Sequence, residues 1–326
     1  MDNLTHSLVG ALIGQAGLKR KTGLAMPALI IGANLPDVDA ACFFWLDGVE
    51  HLGFRRGITH GPIAWVLLPL VLAGLLYGFD RWQAKRGTRP EGRLPVSFKW
   101  LCLLSFIACL THPALDWLNV YGIRLLEPFS SRWFYGDTLF IIDIWLWALL
   151  GFATWFSLRR EKRGGEWQKP ARAAMAVALA YIGVNGAWSE HQRHTLYNTM
   201  PSLECADDEK VCEWTVIASP MPFVPWRREM LANEVPAWAV VAPGQAAHRD
   251  NLTPISDRFC AWPSRAQLAD GGSQAEAFLF WSRAPFAERA PDGSVILRDA
   301  RFYDPRARDR FSVALPDVEC AELPAD

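Results

Sequence analysis

At 326 residues the chain is long enough for two domains, and its net charge of −1 supplies no overall basic field, which argues against nucleic acid as a partner. Its composition, 51% hydrophobic with 16 Trp against 21% charged, averages over two unlike halves. Residues 1–190 hold long apolar runs separated by short basic loops, and residues 191–326 are rich in Pro, charge and turn residues.

The start Met1-Asp2-Asn3 carries an acid where a secretory signal has a basic stretch, so the apolar runs are read as mature structure. A helix needs roughly 20 mostly apolar residues to cross a hydrocarbon core about 30 Å thick. The segments 23–46, 61–79, 96–118, 138–158 and 170–188 meet that length. A shorter amphipathic segment, 4–18, precedes them; it spans, dips into the outer leaflet or lies flat on the cytoplasmic face. The expected fold is therefore an α-helical membrane bundle of five or six helices over 1–190, followed by a small soluble domain over 191–326. Trp45, Trp82, Trp100, Trp117 and Trp188 stand near segment ends, where an aromatic belt belongs.

Basic clusters fix the orientation. Lys19-Arg20-Lys21 form one, Arg81, Lys85, Arg86, Arg89 and Arg93 a second, and Arg159, Arg160, Lys162 and Arg163 a third. With alternating spans all fall on one side, which the positive-inside rule makes cytoplasmic. Residues 191–326 then lie outside, in the periplasm where there is an outer membrane. Cys205, Cys212, Cys260 and Cys320 fall in that half and could form two disulfides, with three pairings open. Cys42, Cys102 and Cys109 lie in spans and read as small core hydrophobes.

An ionisable group at the centre of a membrane helix costs about 2.5–3.5 kcal/mol, so each one calls for a reason. Asp37 and Asp39 come late in an outgoing span, and His60 opens a returning one. His112 and Asp116 come late in the next outgoing span, and Asp143 comes early in the next return. All therefore sit at the outer end of the bundle, and His6 joins them if 4–18 enters from outside. His112 and Asp116 are four apart on one helix face, with Cβ atoms roughly 5–6 Å apart, a spacing that can chelate one ion. Pro36 breaks its helix, which lets Asp37 or Asp39 turn towards the same centre. Imidazole with carboxylate suits Zn²⁺, Mn²⁺ or Fe²⁺ better than Ca²⁺. Thr-His recurs as Thr5-His6, Thr59-His60 and Thr111-His112, and the hydroxyls could support the ring nitrogens.

Plainer readings exist for each residue alone. A single His-x-x-x-Asp is a weak motif. Asp37 and Asp39 could mark a helix stop facing water, and Asp143 could pair with Arg124 or Arg132. His191 and His194 read as interfacial. Arg55 and Arg56 are either flanking charges or a grip for an anionic group. What raises the metal reading is that unrelated spans agree on depth.

The N-terminal half resembles the membrane-bound, metal-dependent hydrolases of the YdjM-like family, which includes a LexA-regulated bacterial inner-membrane protein. The likeness rests on Asp2-Asn3-Leu4-Thr5-His6-Ser7, Asn34-Leu35-Pro36-Asp37-Val38-Asp39, Arg56-Gly57-Ile58-Thr59-His60-Gly61 and His112-Pro113-Ala114-Leu115-Asp116. It runs on through Tyr121-Gly122 and Leu126-Glu127-Pro128-Phe129-Ser130 to Ile142-Asp143. Longer members carry a C-terminal domain similar to Pro220-Met221-Pro222, Phe280-Trp281-Ser282-Arg283 and Asp299-Ala300-Arg301-Phe302. The resemblance implies a bacterial inner-membrane protein and metal-dependent hydrolysis, without a substrate. This chain departs from the pattern His-Arg-Gly-x-Thr-His-Ser, with Arg55 in place of the first His and Gly61 in place of Ser.

On that reading His6, Asp39, His60, His112 and Asp116 are the expected metal ligands, with zinc the expected ion and Mn or Fe the alternatives. Asp37 and Asp143 are the expected catalytic carboxylates. Arg55, Arg56 and Arg124 are expected to bind the phosphate of a lipid-linked or phosphorylated substrate, with membrane lipid as the surrounding partner. Rival readings are an ion- or proton-coupled transporter and a non-catalytic, metal-stabilised scaffold. In the second half, 211–219, 276–284, 294–302 and 310–315 read as short strands, with a Pro-rich loop over 219–226, giving a small β-rich domain. Phe223 and Trp226 are expected near the headgroups.

Overall fold

The computed structural model describes residues 1–199, 215–234, 237–242 and 252–323. The chain divides into two compact units, one of residues 1–40 and 56–186, the other of residues 41–55 and 187–326. The stretch 41–55 thus belongs with the C-terminal residues rather than with the helices on either side of it in sequence.

The first unit is helical. Helix α1, Asn3–Gln15, is started by Asp2, whose carboxylate accepts from the backbone N–H of Leu4 and Thr5 at 2.9 and 3.0 Å. Helix α2, Ala25–Gly32, is followed after a 52° bend by a 3-10 helix, Leu35–Phe44. Pro36 supplies the break, as its missing N–H and fixed φ require. A short helix α3, His51–Phe54, lies in the second unit. Helix α4, Pro62–Lys85, begins with proline in its first turn. Helix α5, Phe98–Trp117, is capped by Ser97, and α6, Ile144–Lys162, by Asp143. Helix α7, Gln168–Thr199, is the longest described, at 32 residues.

Small residues let these helices approach. A Cβ on Gly10 would stand 2.5 Å from the Leu29 carbonyl oxygen, so α1 and α2 touch backbone to backbone there. A Cβ on Gly32 would stand 3.0 Å from Ala108 Cβ and 3.2 Å from the Ser105 carbonyl oxygen of α5. The cores follow from these contacts. Ala28, Leu29 and Ala33 pack on Ala73, Leu101, Leu104 and Ala108, and Leu12 packs with Leu146, Leu150, Ala171, Ala174 and Ala178. Helix α4 leaves Val66, Leu67, Leu70, Val71 and Leu75 exposed, as a helix in hydrocarbon can.

Among the described residues α4 and α5 are long and apolar enough to cross a membrane, and the bent pair Ala25–Gly32 and Leu35–Phe44 makes a third if it is one span. This is fewer than the five or six helices expected from the sequence. Helix α6 does not open until Ile144, and its 19 residues end in Arg159, Arg160, Glu161 and Lys162, which leaves too short an apolar run. Helix α7 is long but diluted by Ala, Gly and polar residues.

The second unit carries two antiparallel sheets. Strands β1 (Val216–Pro220), β2 (Arg228–Glu234), β3 (Ala237–Val241) and β4 (Leu252–Pro254) form a meander in that order. Helices α8 (Arg265–Asp270) and α9 (Gly272–Trp281) precede the three-stranded sheet of β5 (Pro285–Arg289), β6 (Ser294–Asp299) and β7 (Ser312–Glu319). Ile217, Leu231 and Trp238 meet Ala284, Phe286 and Ala300 in a shared core. A disulfide joins Cys260 to Cys320 across 60 residues; Cys205 and Cys212 lie outside the described residues.

The β-rich expectation holds for this unit, but one segment is corrected. Residues 276–284 are mostly helix, because Ala275, Phe278 and Trp281 recur every third residue on the buried face of α9, a helical and not an alternating pattern. Strand β6 gives way at Ala300 to a 3-10 turn, and β7 runs on to Glu319. The part of 211–219 before Thr215 lies outside the described residues, and 219–226 turns only after Pro220.

Candidate metal centre

The helices of the first unit bring Asp37, His60, His112 and Asp116 together, with one ligand atom from each lying within 4.8 Å of all the others. Helix α5 supplies His112 and Asp116 on one face, with Nε2 and Oδ2 3.6 Å apart. The 3-10 helix after the bend supplies Asp37, whose Oδ1 is 3.8 Å from His112 Nε2. A second 3-10 turn, Ile58–His60, supplies His60, with Nε2 3.6 Å from Asp116 Oδ2. Ligands at about 2.0–2.2 Å from a tetrahedral ion lie roughly 3.4 Å from each other. The pairs at 3.6 and 3.8 Å are close to that spacing.

The back of each ring is held by the protein. His112 Nδ1 stands 2.7 Å from the Ala33 carbonyl oxygen. A carbonyl only accepts, so Nδ1 carries the proton and Nε2 presents its lone pair. His60 Nδ1 is 2.9 Å from Thr59 Oγ1, and that hydroxyl donates to Asp39 Oδ2 at 3.2 Å. With its hydrogen committed to Asp39, the Thr59 oxygen accepts from His60 Nδ1, and His60 Nε2 is likewise bare. Asp39 therefore stands behind His60, 3.5 Å from Nδ1, and is not one of the four. The arrangement matches the carboxylate–histidine support found behind metal-ligating imidazoles.

His6 lies against the cluster rather than in it. Its ring stacks on His112 at 3.8 Å between centroids, and its Nε2 is 3.4 Å from Asp116 Oδ1. Both His6 nitrogens and Nε2 of His60 and of His112 are buried and make no hydrogen bond among the described residues. An unpaired buried polar atom costs about 1–3 kcal/mol, and coordination of a cation by these atoms removes that cost. The donor set of imidazole and carboxylate is one that divalent transition metals accept. On these grounds the residues fit a divalent ion.

Two cationic groups already face Asp116. The Met1 amine pairs with Oδ1, and Arg56 Nε lies 3.1 Å from Oδ2. Arg56 is held in the left-handed region at φ 57°, which costs a non-glycine residue about 1–3 kcal/mol. Its neighbours fix it there. Its N–H donates to Asp39 at 2.8 Å, its carbonyl accepts from Arg124 N–H at 2.9 Å, and its guanidinium donates to Asn119 Oδ1 at 3.1 Å. The guanidinium also lies 4.4 Å from the centre of the Tyr121 ring.

The other expected residues are placed apart from the four. Asp143 caps α6, accepting from Leu146 N–H and from the Tyr181 hydroxyl, each at 2.8 Å. Apolar residues before and after Asp143 are the signature of an N-cap, so that role was legible. Arg124 pairs with Glu127 at 3.1 Å, with its guanidinium 5.1 Å from the centre of the Trp133 ring. Arg55 falls in the other unit, 5.6 Å from the centre of the Phe43 ring. Of the three Thr-His pairs only Thr59 bonds its own histidine. Thr5 donates to Asp2, and Thr111 donates to the Ala108 carbonyl. Asn119, which holds Arg56, was not singled out in the sequence, since nothing there distinguishes a buried Asn just past a helix end from an exposed one.

The description "YdjM inner membrane protein" belongs to a family model that matches residues 1–192. The uncharacterized protein YfhP of Bacillus subtilis is 27% identical over 167 residues, 48% of this chain and 47% of YfhP, so the chain spans about half the length of that relative. No solved structure matches. With the family match extending over more than half of its length and including all four clustered residues, the chain belongs to the YdjM inner membrane protein family.

Proposed function

We propose that this protein is a metal-dependent hydrolase of the bacterial inner membrane, acting on a phosphoester or lipid-linked substrate. One observation carries the reading: His60 and His112 turn bare Nε2 atoms towards Asp37 and Asp116 while their Nδ1 atoms are occupied behind. When bound, a zinc ion, or Mn or Fe in its place, supplies Lewis-acid polarisation of the scissile group. With His60, His112 and Asp116 holding the ion, Asp37, the least buried of the four, is the carboxylate left to accept a proton from an attacking water. Arg56, one of the two cations adjoining the cluster, would hold an anionic oxygen of the substrate; Arg124, whose N–H donates to the Arg56 carbonyl, keeps it in place. Asp143 retains its capping role in this scheme.

The proposed topology is multi-pass. The bent pair, α4 and α5 cross in turn, and α6 and α7 complete the bundle despite their shorter or more dilute apolar runs, with the Lys19–Lys21, Arg81–Arg93 and Arg159–Arg163 clusters on the cytoplasmic side and the C-terminal unit in the periplasm. The basic clusters and the Cys260–Cys320 disulfide, which persists in an oxidising compartment, support this orientation.

The ion pair of Asp116 with Arg56 favours a second reading, a metal-stabilised scaffold without catalysis. Detergent-purified protein loaded with Zn²⁺ and given bis(p-nitrophenyl) phosphate and short-chain phospholipids separates the two. Turnover that is lost in His112→Ala supports the hydrolase. Stoichiometric metal with no turnover on any of these esters favours the scaffold.

A further inference from the structure

The helical unit holds a part-open apolar cavity of about 370 Å³ between α1, α5, α6 and α7, with Trp117 and Leu179 exposed at its mouth. Val9 and Leu12 come from α1, Leu115 from α5, Leu146 from α6, and Met175 and Ile182 from α7. Apart from Thr111 and Trp117 the wall is aliphatic, and the Thr111 hydroxyl is already donated to the Ala108 carbonyl at 2.7 Å. A water in such a space finds too few of the two to four polar partners it needs. A sugar, nucleotide or peptide would lose its hydrogen bonds on entry. The occupant that loses nothing is a hydrocarbon chain, and the volume falls within the range of about 300–1,000 Å³ usual for ligand sites.

The cavity is lined by residues of α1 and α5, the helices that also carry His6, His112 and Asp116. On α1, His6, Val9 and Ile13 are spaced by three and four residues and so follow one stripe of the helix. On α5, Thr111 and Leu115 immediately precede His112 and Asp116, about 100° round the same turns. A chain in the cavity therefore lies along the helices that carry the polar cluster at their ends.

We infer that this cavity receives one acyl chain of a membrane phospholipid and so holds the headgroup end of that lipid towards the metal centre, an inference that rests, for the headgroup, on the hydrolase reading above. A phospholipid is preferred over other chain-bearing molecules because acyl chains are the solvent of a helical unit in the inner membrane.

The test uses the full chain in detergent with a phosphatidylglycerol carrying a diazirine at the end of one acyl chain, followed by mapping of the labelled peptides and metal analysis of the same samples. Labels are expected on the residues of α1, α5 and α7 that line the cavity. They should fall at least tenfold in Ala178→Trp and several-fold in the milder Ala114→Leu, while Leu75→Trp, on the outward face of α4, leaves them unchanged. Bound metal should not differ among the variants. Labels confined to the outer face of α4, or unaffected by both filling variants, overturn the proposal in the wild-type protein whatever the variants' folding. Stronger labelling by a diazirine prenyl phosphate in a parallel sample overturns the phospholipid assignment. Cavity labelling in a protein that takes up no metal supports the chain site and overturns the hydrolase reading instead.

Discussion

His112 Nδ1 lies 2.7 Å from the carbonyl oxygen of Ala33, one residue beyond the end of α2. The contact ties α5 to the start of the bend, and it sets the tautomer that leaves Nε2 facing Asp37 and Asp116. One backbone carbonyl thus couples the broken segment to the ligand face of the neighbouring helix.

Removing a ligand should remove the metal. Elemental analysis of purified protein should find bound divalent metal in the wild type and none in His112→Ala or Asp116→Ala, with helical content preserved by circular dichroism. Wild-type metal that survives both substitutions would place the ion elsewhere.

The relay behind His60 should tune affinity without abolishing it. Asp39→Asn and Thr59→Ala disturb the Thr59–Asp39 link at 3.2 Å and should weaken metal binding about 10–100-fold in a chelator competition. An unchanged affinity in both would deny Asp39 its supporting role.

Gly61 is fixed by space. A Cβ there would come within 2.0 Å of the Glu127 carbonyl oxygen, a backbone atom that cannot swing away. Gly61→Ser should cost about 1–3 kcal/mol and lower the thermal midpoint, because the loop carrying Glu127 must shift. The same shift should loosen metal binding, since His60 precedes Gly61 directly.

Reducing the Cys260–Cys320 bridge frees a loop of 60 residues. The chain-entropy relation puts its contribution at about 4 kcal/mol. Cys260→Ser with Cys320→Ser should lower the unfolding transition of the C-terminal unit in the full chain, and added reductant should lower it equally in the wild type and not at all in the double variant.

The buried pair of Asp299 and Arg301, 2.7 Å apart, should make that unit sensitive to acid. Burial opposes the charged carboxylate, but the Arg301 guanidinium and the Ser282 hydroxyl outweigh it and hold Asp299 below its ordinary value. A depressed folded pKa contributes stability above the ordinary carboxylate range and loses it as pH falls through the folded value. Arg301→Met should cost about 3–5 kcal/mol near neutral pH by stranding the charge. Its unfolding midpoint should depend less on pH below about 4 than that of the wild type.

Much of the cluster was legible because membrane helices make charge conspicuous. The four-residue spacing puts His112 and Asp116 on one helix face, and the expectation that Asp37 and His60 join them rested on alternation of the segments. The choice between Asp37 and Asp39 did not follow. Both precede a stretch whose bend of 52° and 3-10 geometry decide which carboxylate turns inward, and neither is written in local spacing. The link from Thr59 to Asp39 and the role of Asn119 were hidden for the same reason, since those partners lie 20 and 63 residues away. In the second half, α9 was misread because a short apolar run fits either period until its buried face is known. The sequence by itself determined which residues carry cost and that His112 and Asp116 share one helix face, since these depend on composition and local spacing. Only the tertiary structure decided which ring nitrogens are bare, which carboxylate stands behind rather than within the site, and that 41–55 joins the distant C-terminal residues, because each depends on contacts between segments far apart in the chain.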